Sequence, residues 1–134
     1  MGTRSAIGYR LPDGSIRAVY CHWDGNPTHQ MPILNEHYRT LSKVKALMKP
    51  GSMSSLRTTR MWDEPATRDP QPLYHCERPP GPHCPAGETY ADPPSVSADC
   101  AAAKEYWREH SCEWLYVYIP RHGGNYRGWT SYKL

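Results

Sequence analysis

Phenylalanine is absent from this chain of 134 residues, which instead carries ten tyrosines and five tryptophans. All of its aromatic bulk therefore comes with a hydroxyl or an indole N–H group, which needs a hydrogen-bond partner wherever it is buried. The length matches a single domain and is sufficient to bury a core without metals or disulfides. We therefore expect one domain over residues 1–134.

Long apolar segments are also missing. No run of about eighteen apolar residues exists, so the sequence predicts no membrane span, and the first residues form no apolar signal region. The five cysteines are an odd number, which is more typical of reduced thiols in the cytosol than of a disulfide framework. These features predict a cytoplasmic protein.

Neither sign of charge dominates. Lysine and arginine total 16, aspartate and glutamate 13, and the formal net charge is +3, which argues against the strongly acidic class of DNA mimics. A continuous basic tract that grips nucleic acid is missing too. Five basic residues form a loose cluster, which we interpret as a solvated face rather than a phosphate-binding track: Lys43, Lys45, Lys49, Arg57 and Arg60.

Known catalytic signatures are absent, among them Gly-x-Ser-x-Gly, a phosphate-cradling glycine loop and His-Glu-x-x-His. The aromatic series Trp114, Tyr116 and Tyr118 lacks the interleaved arginine or lysine of single-strand nucleic-acid binders. We expect that series to be sheet core or a partner-binding face. The absences favour a binding protein over an enzyme.

Alternating apolar residues predict a hairpin at each end of the chain. Residues 5–11 and 16–23 flank a Pro-Asp-Gly-Ser turn, and residues 113–119 and 126–133 flank a connection that contains Gly-Gly-Asn. We expect these four strands to form one sheet that is mostly antiparallel.

Between the hairpins, three- and four-residue spacing of apolar side chains predicts helices that begin near Thr28, Ser42 and Ser97. The predicted fold is therefore α+β, with a four-stranded sheet and two to three helices packed on one face. Nine of the fourteen prolines lie between Pro65 and Pro94. Because proline lacks an N–H and fixes φ, residues 64–95 are predicted to be an irregular insertion.

The insertion contains two His-Cys dipeptides. Sulfur and imidazole ligands suit zinc, but the spacing between the cysteines is wider than that of a tight zinc knuckle, and a disulfide there would need an oxidising compartment. We expect these residues to be unligated and the protein to have no cofactor, with a structural zinc site as the alternative. The four residues are His75, Cys76, His83 and Cys84.

The densest chemistry lies in residues 20–27, Tyr-Cys-His-Trp-Asp-Gly-Asn-Pro, where a predicted strand meets a predicted helix. Side chains two apart on a strand share a face, so His22 and Asp24 point the same way. If the helix folds back, a ligand-binding or partner-binding pocket results, formed by His22, Trp23, Asp24, His37 and Tyr38.

A purely structural interpretation of the same block competes with that pocket. In it, Trp23 anchors the core, Asp24 forms an Asx-turn, Gly25 adopts a positive φ and Pro27 fixes the start of the helix. This interpretation accounts for every residue of the block except His22.

The His-Trp-Asp-Gly-x-Pro block resembles that of a family of small, uncharacterised proteins encoded by bacteriophages and prophages. Further matches are Thr-Arg-Ser-Ala-Ile-Gly at residues 3–8, the pairs at residues 13–14, 37–38 and 74–75, Ser-Ser-Leu at residues 54–56 and the aromatic strand at residues 114–118. Residues 76–94 depart from the family, being richer in proline and cysteine. The resemblance implies a virus-encoded accessory protein in the host cytoplasm and no settled activity.

We therefore expect a binding protein that captures and blocks a host protein or a nucleotide-like host signal, as in counter-defence. Nucleic acid and membranes are not expected partners, and self-association is left open. The alternative is a small metal-assisted hydrolase or nuclease, in which His22, Asp24 and His37 would hold a metal that activates water. A virion component is a third option, although the chain shows no long or repetitive assembly segment.

Overall fold

The computed structural model describes residues 3–56, 73–74, 94–120 and 128–134. Within them the fold is α+β, as predicted, with three helices and one mixed sheet. In chain order the elements are β1 (Ser5–Arg10), β2 (Ile16–Trp23), α1 (Pro27–His37), α2 (Leu41–Met48), β3 (Met53–Ser55), β4 (Leu73–Tyr74), β5 (Ser95–Ser97), α3 (Cys100–Glu109), β6 (Trp114–Ile119) and β7 (Gly128–Lys133).

β1 lies between the two predicted hairpins and joins them. It pairs antiparallel with β2 and parallel with β6, and β7 pairs antiparallel with β6. The prediction that both terminal strand pairs share one sheet is therefore confirmed. β3 and β5 both lie along the outer edge of β2, and β4 pairs with β3. Among the described strands the order is β4-β3-β2-β1-β6-β7.

The sheet is larger and more mixed than the four-stranded, mostly antiparallel sheet that the sequence predicts. The three added strands, β3 to β5, are two or three residues long, which is too short to show a period of two. The parallel pairs, β1 with β6 and β2 with β3, need long connections that no local pattern reveals.

Helices cover both faces of the sheet, so the prediction of helices on one face is wrong. α1 and α2 share a core cluster with Ile7 and Tyr116, whereas α3 buries Ala103 and Trp107 against the opposite face. The physical reason lies in the central strands, because residues 5–9 of β1 are all buried. A strand buried on both sides needs a layer on each face.

Side-chain caps begin all three helices, at positions other than those predicted. Asn26 caps α1 and Thr40 caps α2, each two residues before the predicted start, and Asp99 caps α3 two residues after it. Each accepts a hydrogen bond from the backbone N–H three residues on, which satisfies one free donor of the first turn. Pro32 consequently lies inside α1 rather than in its first turn.

The aromatic donors have the partners that their burial requires. The Tyr116 hydroxyl, on β6, donates to the Gly25 carbonyl before α1. The Trp129 indole Nε1–H, on β7, donates to the Tyr38 carbonyl after α1, at 2.8 Å. These two bonds attach both ends of α1 to the C-terminal strands.

The predicted irregular insertion, residues 64–95, falls largely outside the described residues, and so does the predicted connection at residues 121–125. Two residues of the predicted insertion, Leu73–Tyr74, form β4 and pair with β3, so the insertion is part of the sheet there. No helix within residues 3–56, 94–120 and 128–134 is long and apolar enough to cross a membrane.

Two alanines of α3 test whether this helix packs against the second face of the sheet. Ala103 is fully buried against the sheet and Ala101 is exposed. We expect Ala103→Leu to overpack the interface and lower the free energy of unfolding by about 1–3 kcal/mol, measured by urea denaturation. The matched control Ala101→Leu should change it by less than about 0.5 kcal/mol. Equal effects of the two substitutions would contradict packing of α3 on this face.

Candidate functional site

The predicted site block contains the last residues of β2, whose exposed and partly exposed side chains are aromatic. Trp23 is 47% exposed, so the interpretation that it anchors the core is wrong. The His22 ring meets the Trp23 ring edge-on, with centroids 4.6 Å apart, and the His22 Nδ1 lies 2.7 Å from the Tyr20 hydroxyl oxygen. The end of β2 therefore presents a surface group of three rings.

The glycine of the block serves packing rather than a positive φ. The positive φ, 57°, belongs to Asp24, which is exposed. A Cβ on Gly25 would lie 2.6 Å from the Thr3 carbonyl oxygen and 2.6 Å from the Ser5 hydroxyl oxygen. The Gly25 N–H also donates to the Thr3 carbonyl, at 2.8 Å. A glycine is needed because the chain before β1 passes against this backbone.

The predicted pocket is not assembled, because α1 runs across the sheet instead of folding back. It starts beside the end of β2 and ends where Tyr38 accepts the Trp129 bond from β7. Three strand spacings separate β2 from β7, about 14 Å laterally. The nearest ionic contact of the His37 Nε2 is Glu36, at 3.8 Å. His37 and Tyr38 therefore lie away from His22.

The two predicted metal sets differ in whether the structure describes their residues. The described residues contain no group of three His, Cys, Asp or Glu side chains arranged to hold a metal. The zinc alternative rests on four residues that lie outside the described ones: His75, Cys76, His83 and Cys84.

A buried polar network fills the space beneath the block. The Gln30 Nε2 donates to the Cys21 sulfur at 3.2 Å, and its Oε1 accepts from the Ser5 hydroxyl at 3.2 Å. All three side chains are fully buried. Burial raises the pKa of the Cys21 thiol to about 12, so this cysteine is part of the core rather than a nucleophile.

A cleft opens at the opposite end of β1 and β2, between their connecting turn and α2. It consists of two adjoining cavities of about 330 and 440 Å³. Their shared wall is formed by Tyr9, Arg17 and Lys45. Cavities of this size are typical of small-molecule sites.

The fold brings these three side chains together from two elements. Tyr9 and Arg17 are directly opposite each other in the β1–β2 pair, so their side chains lie on the same face, the one that α2 covers. The Lys45 ammonium of α2 lies 5.7 Å from the centre of the Tyr9 ring. Lys49, one helical turn beyond Lys45, lines the second cavity.

Positive charge predominates in the described lining of the cleft. Among the described residues, no carboxylate lines either cavity, and Arg17, Lys45 and Lys49 form no ion pair. Asp13, in the neighbouring turn, accepts hydrogen bonds from the Ser15 N–H at 2.9 Å and hydroxyl at 2.6 Å, which hold its pKa below the usual value, and the charge of Arg17 lowers that pKa slightly further. Arg17, Lys45 and Lys49 therefore line the cleft without a carboxylate within ion-pair distance among the described residues.

The position of the cleft follows from the parallel pair. The carboxyl ends of β1 and β6 meet at the same edge of the sheet, and the residues just beyond them, Leu11 and Pro120, line the first cavity. Ligands of open α/β sheets bind in the crevice outside the carboxyl ends of parallel strands. The sheet here is mixed, but the cleft likewise lies beyond the carboxyl ends of a parallel pair.

No sequence pattern predicted this site. The interpretation of Lys45 and Lys49 as part of a solvated face overlooks their spacing of four residues, which places them on one side of a helix. The sequence could not reveal that this side meets Arg17 across the turn of a hairpin. No protein-family model, curated protein or solved structure matches the chain, so the functional argument depends on the geometry of the cleft.

Two cysteine thiols test the buried polar network beneath the end of β2, at the opposite end of the sheet from the cleft. A pKa of about 12 leaves about one Cys21 thiol in ten thousand ionised at pH 8, and the side chain is buried, whereas Cys100 is partly exposed. We expect iodoacetamide to alkylate Cys100 and to spare Cys21 in the folded protein, measured by peptide mass mapping. After unfolding in urea both should react. Equal rates in the folded protein would contradict the buried network.

Proposed function

We propose that this protein is a binding protein that captures a small anionic molecule in the cleft between α2 and the β1–β2 turn. One observation carries the proposal: Arg17, Lys45 and Lys49 converge on a concave site whose described lining contains no carboxylate, and none of the three is in an ion pair among the described residues. A cleft lined by one sign of charge concentrates ligands of the opposite sign. A phosphorylated molecule fits this chemistry, in agreement with a nucleotide-like signal as the expected ligand.

The lining of the cleft favours capture over turnover. The described residues around the two cavities supply no imidazole, carboxylate, thiol or aliphatic hydroxyl. Those are the side chains that usually act as nucleophile or general base. We therefore propose that the ligand is bound and released unchanged.

The biological role we propose rests on the resemblance to phage and prophage proteins. A virus-encoded protein that sequesters a phosphorylated signal in the host cytoplasm would lower the free concentration of that signal and so block the response it triggers. Such a counter-defence role needs no enzymatic activity, only affinity and enough copies of the protein.

A second candidate function is the capture of a host protein through the end of β2. Trp23 is one of two large apolar side chains that are exposed among the described residues, and it is flanked by His22. Tryptophan is among the residues that contribute most binding energy at protein interfaces. This surface lies at the edge of the sheet opposite the cleft, so the two functions can be tested separately.

Two lysines of α2 test the anion site with equal changes in net charge. Lys45 lines both cavities, whereas Lys43 lines neither. We expect Lys45→Ala to weaken the binding of pyrophosphate and of ATP by roughly fivefold, the upper range for an exposed charge pair, and Lys43→Ala to leave it unchanged. Isothermal titration calorimetry at low salt measures both affinities.

Arg17→Ala should weaken binding as Lys45→Ala does, and raising the salt concentration should weaken binding to the wild-type protein, because exposed charges are screened. Equal losses in Lys43→Ala and Lys45→Ala would show that only the overall charge matters and would contradict a site in the cleft.

Two tryptophans test the protein-capture candidate. Trp107 is 4% exposed and Trp23 is 47% exposed. We expect Trp107→Ala to cost about 3–5 kcal/mol of unfolding free energy and Trp23→Ala to cost much less, measured by urea denaturation. If a host protein is captured at this end, affinity purification with Trp23→Ala should lose it while the fold remains intact. Retention of every co-purified host protein would contradict this second candidate.

A further inference from the structure

On the basis of the proposed function, we infer that the ligand is a nucleoside phosphate, with its base in the first cavity and its phosphate against the basic wall of the second. The inference rests on where the apolar and the basic side chains of the described lining lie.

The first cavity is mostly apolar. Besides the shared wall, it is lined by Leu11, Pro12, Leu41 and Pro120, together with Arg10. Arg10 pairs with Ile16, whose side chain lies in the core cluster on the α3 face, so the Arg10 side chain starts from the face opposite to Tyr9. Apolar side chains and a tyrosine ring suit a flat, weakly polar group such as a nucleobase.

The second cavity adds one lysine of the α2 end to the two cations of the shared wall. Lys49 joins Arg17 and Lys45 there, and its other lining residues are apolar or aromatic. One of these three cations belongs to a strand and two belong to a helix, and none is in an ion pair within the described residues. Their charge matches that of a chain of two or three phosphates. Guanidinium and ammonium groups are the side chains that bind phosphate most strongly.

The arrangement also argues against two other ligands. A bare phosphate or pyrophosphate would leave the apolar first cavity unfilled. A polynucleotide would need a basic track that continues beyond the cleft, whereas the described lining of the two cavities supplies four basic residues, Arg10, Arg17, Lys45 and Lys49. A ligand with one flat part and one anionic part uses both cavities.

The test compares whole ligands with their fragments. The probes are the monophosphates of adenosine, guanosine, cytidine and uridine, the four free nucleosides, and pyrophosphate, each titrated calorimetrically into the full chain at low salt. We expect at least one monophosphate to bind about tenfold more tightly than its nucleoside and than pyrophosphate, because it gains contacts in both cavities.

Substitutions in each cavity then assign the parts. Leu41→Ala and Pro120→Ala, in the first cavity, should weaken binding of that monophosphate and leave pyrophosphate unchanged. Lys49→Ala, in the second, should weaken both and leave the nucleoside unchanged. Lys43→Ala is the control, and a melting curve for each variant shows whether it folds; Pro120→Ala keeps the test valid if Leu41→Ala unfolds.

The outcomes separate this inference from the proposed function. If pyrophosphate binds as tightly as every monophosphate, and Leu41→Ala and Pro120→Ala change neither, the anion site stands and the nucleoside phosphate is overturned. If no anionic probe binds, or if Arg17→Ala and Lys45→Ala have no effect on binding, the proposed function itself is overturned.

Discussion

β1 is hydrogen-bonded along both edges and buried on both faces, and its parallel pairing with β6 joins the two ends of the chain. Gly8, in the middle of β1, lies so close to β2 that a Cβ there would collide with the Arg17 carbonyl and the Ala18 backbone. The parallel pair has three consequences. It merges the terminal strand pairs into one sheet, requires helices on both faces, and brings two strand ends together beside the cleft.

The two ends of this sheet differ because α1 and α2 cover them differently. α1 is attached by the Tyr116 bond before it and the Trp129 bond after it, and Gln30 fills the space below with buried hydrogen bonds. That end is closed by packing. At the other end α2 approaches the β1–β2 turn but leaves a concave space whose described walls carry lysine and arginine side chains and no carboxylate. Tyrosine and tryptophan supply the aromatic residues of the core in place of phenylalanine, and their polar atoms form hydrogen bonds that attach the helices to the sheet.

The parts of the fold that the sequence predicted were those with a local cause. Strict alternation on both sides of a Pro-Asp-Gly-Ser turn requires a hairpin, and apolar spacing of three and four residues requires helices, so the α+β class followed. The β1–β6 pairing did not follow, because it joins residues more than one hundred positions apart, Ser5 and Trp114. Without this pairing, the sequence could not predict that both faces of the sheet are buried or where α3 packs.

The functional site was harder to predict from the sequence than the fold. His22, Asp24 and His37 were grouped on the assumption that α1 folds back, but its eleven residues span about 16 Å, enough to carry His37 across the sheet to β7. The structural interpretation of the block places Trp23 in the core, whereas its position at the strand end leaves it exposed. Arg17 and Lys45 carried no local signal, since a cleft formed by a turn and a distant helix exists only after folding.

We propose that the concave, basic end of the sheet binds a phosphorylated small molecule and that the aromatic end does not. A nitrogen-15 heteronuclear NMR titration with the nucleoside monophosphates locates binding residue by residue. We expect the amide signals of Tyr9, Arg17, Lys45 and Lys49 to shift and saturate, while those of Trp23 and Gly25 stay in place. Shifts confined to the Trp23 end, or no saturable shift at millimolar ligand, would contradict it.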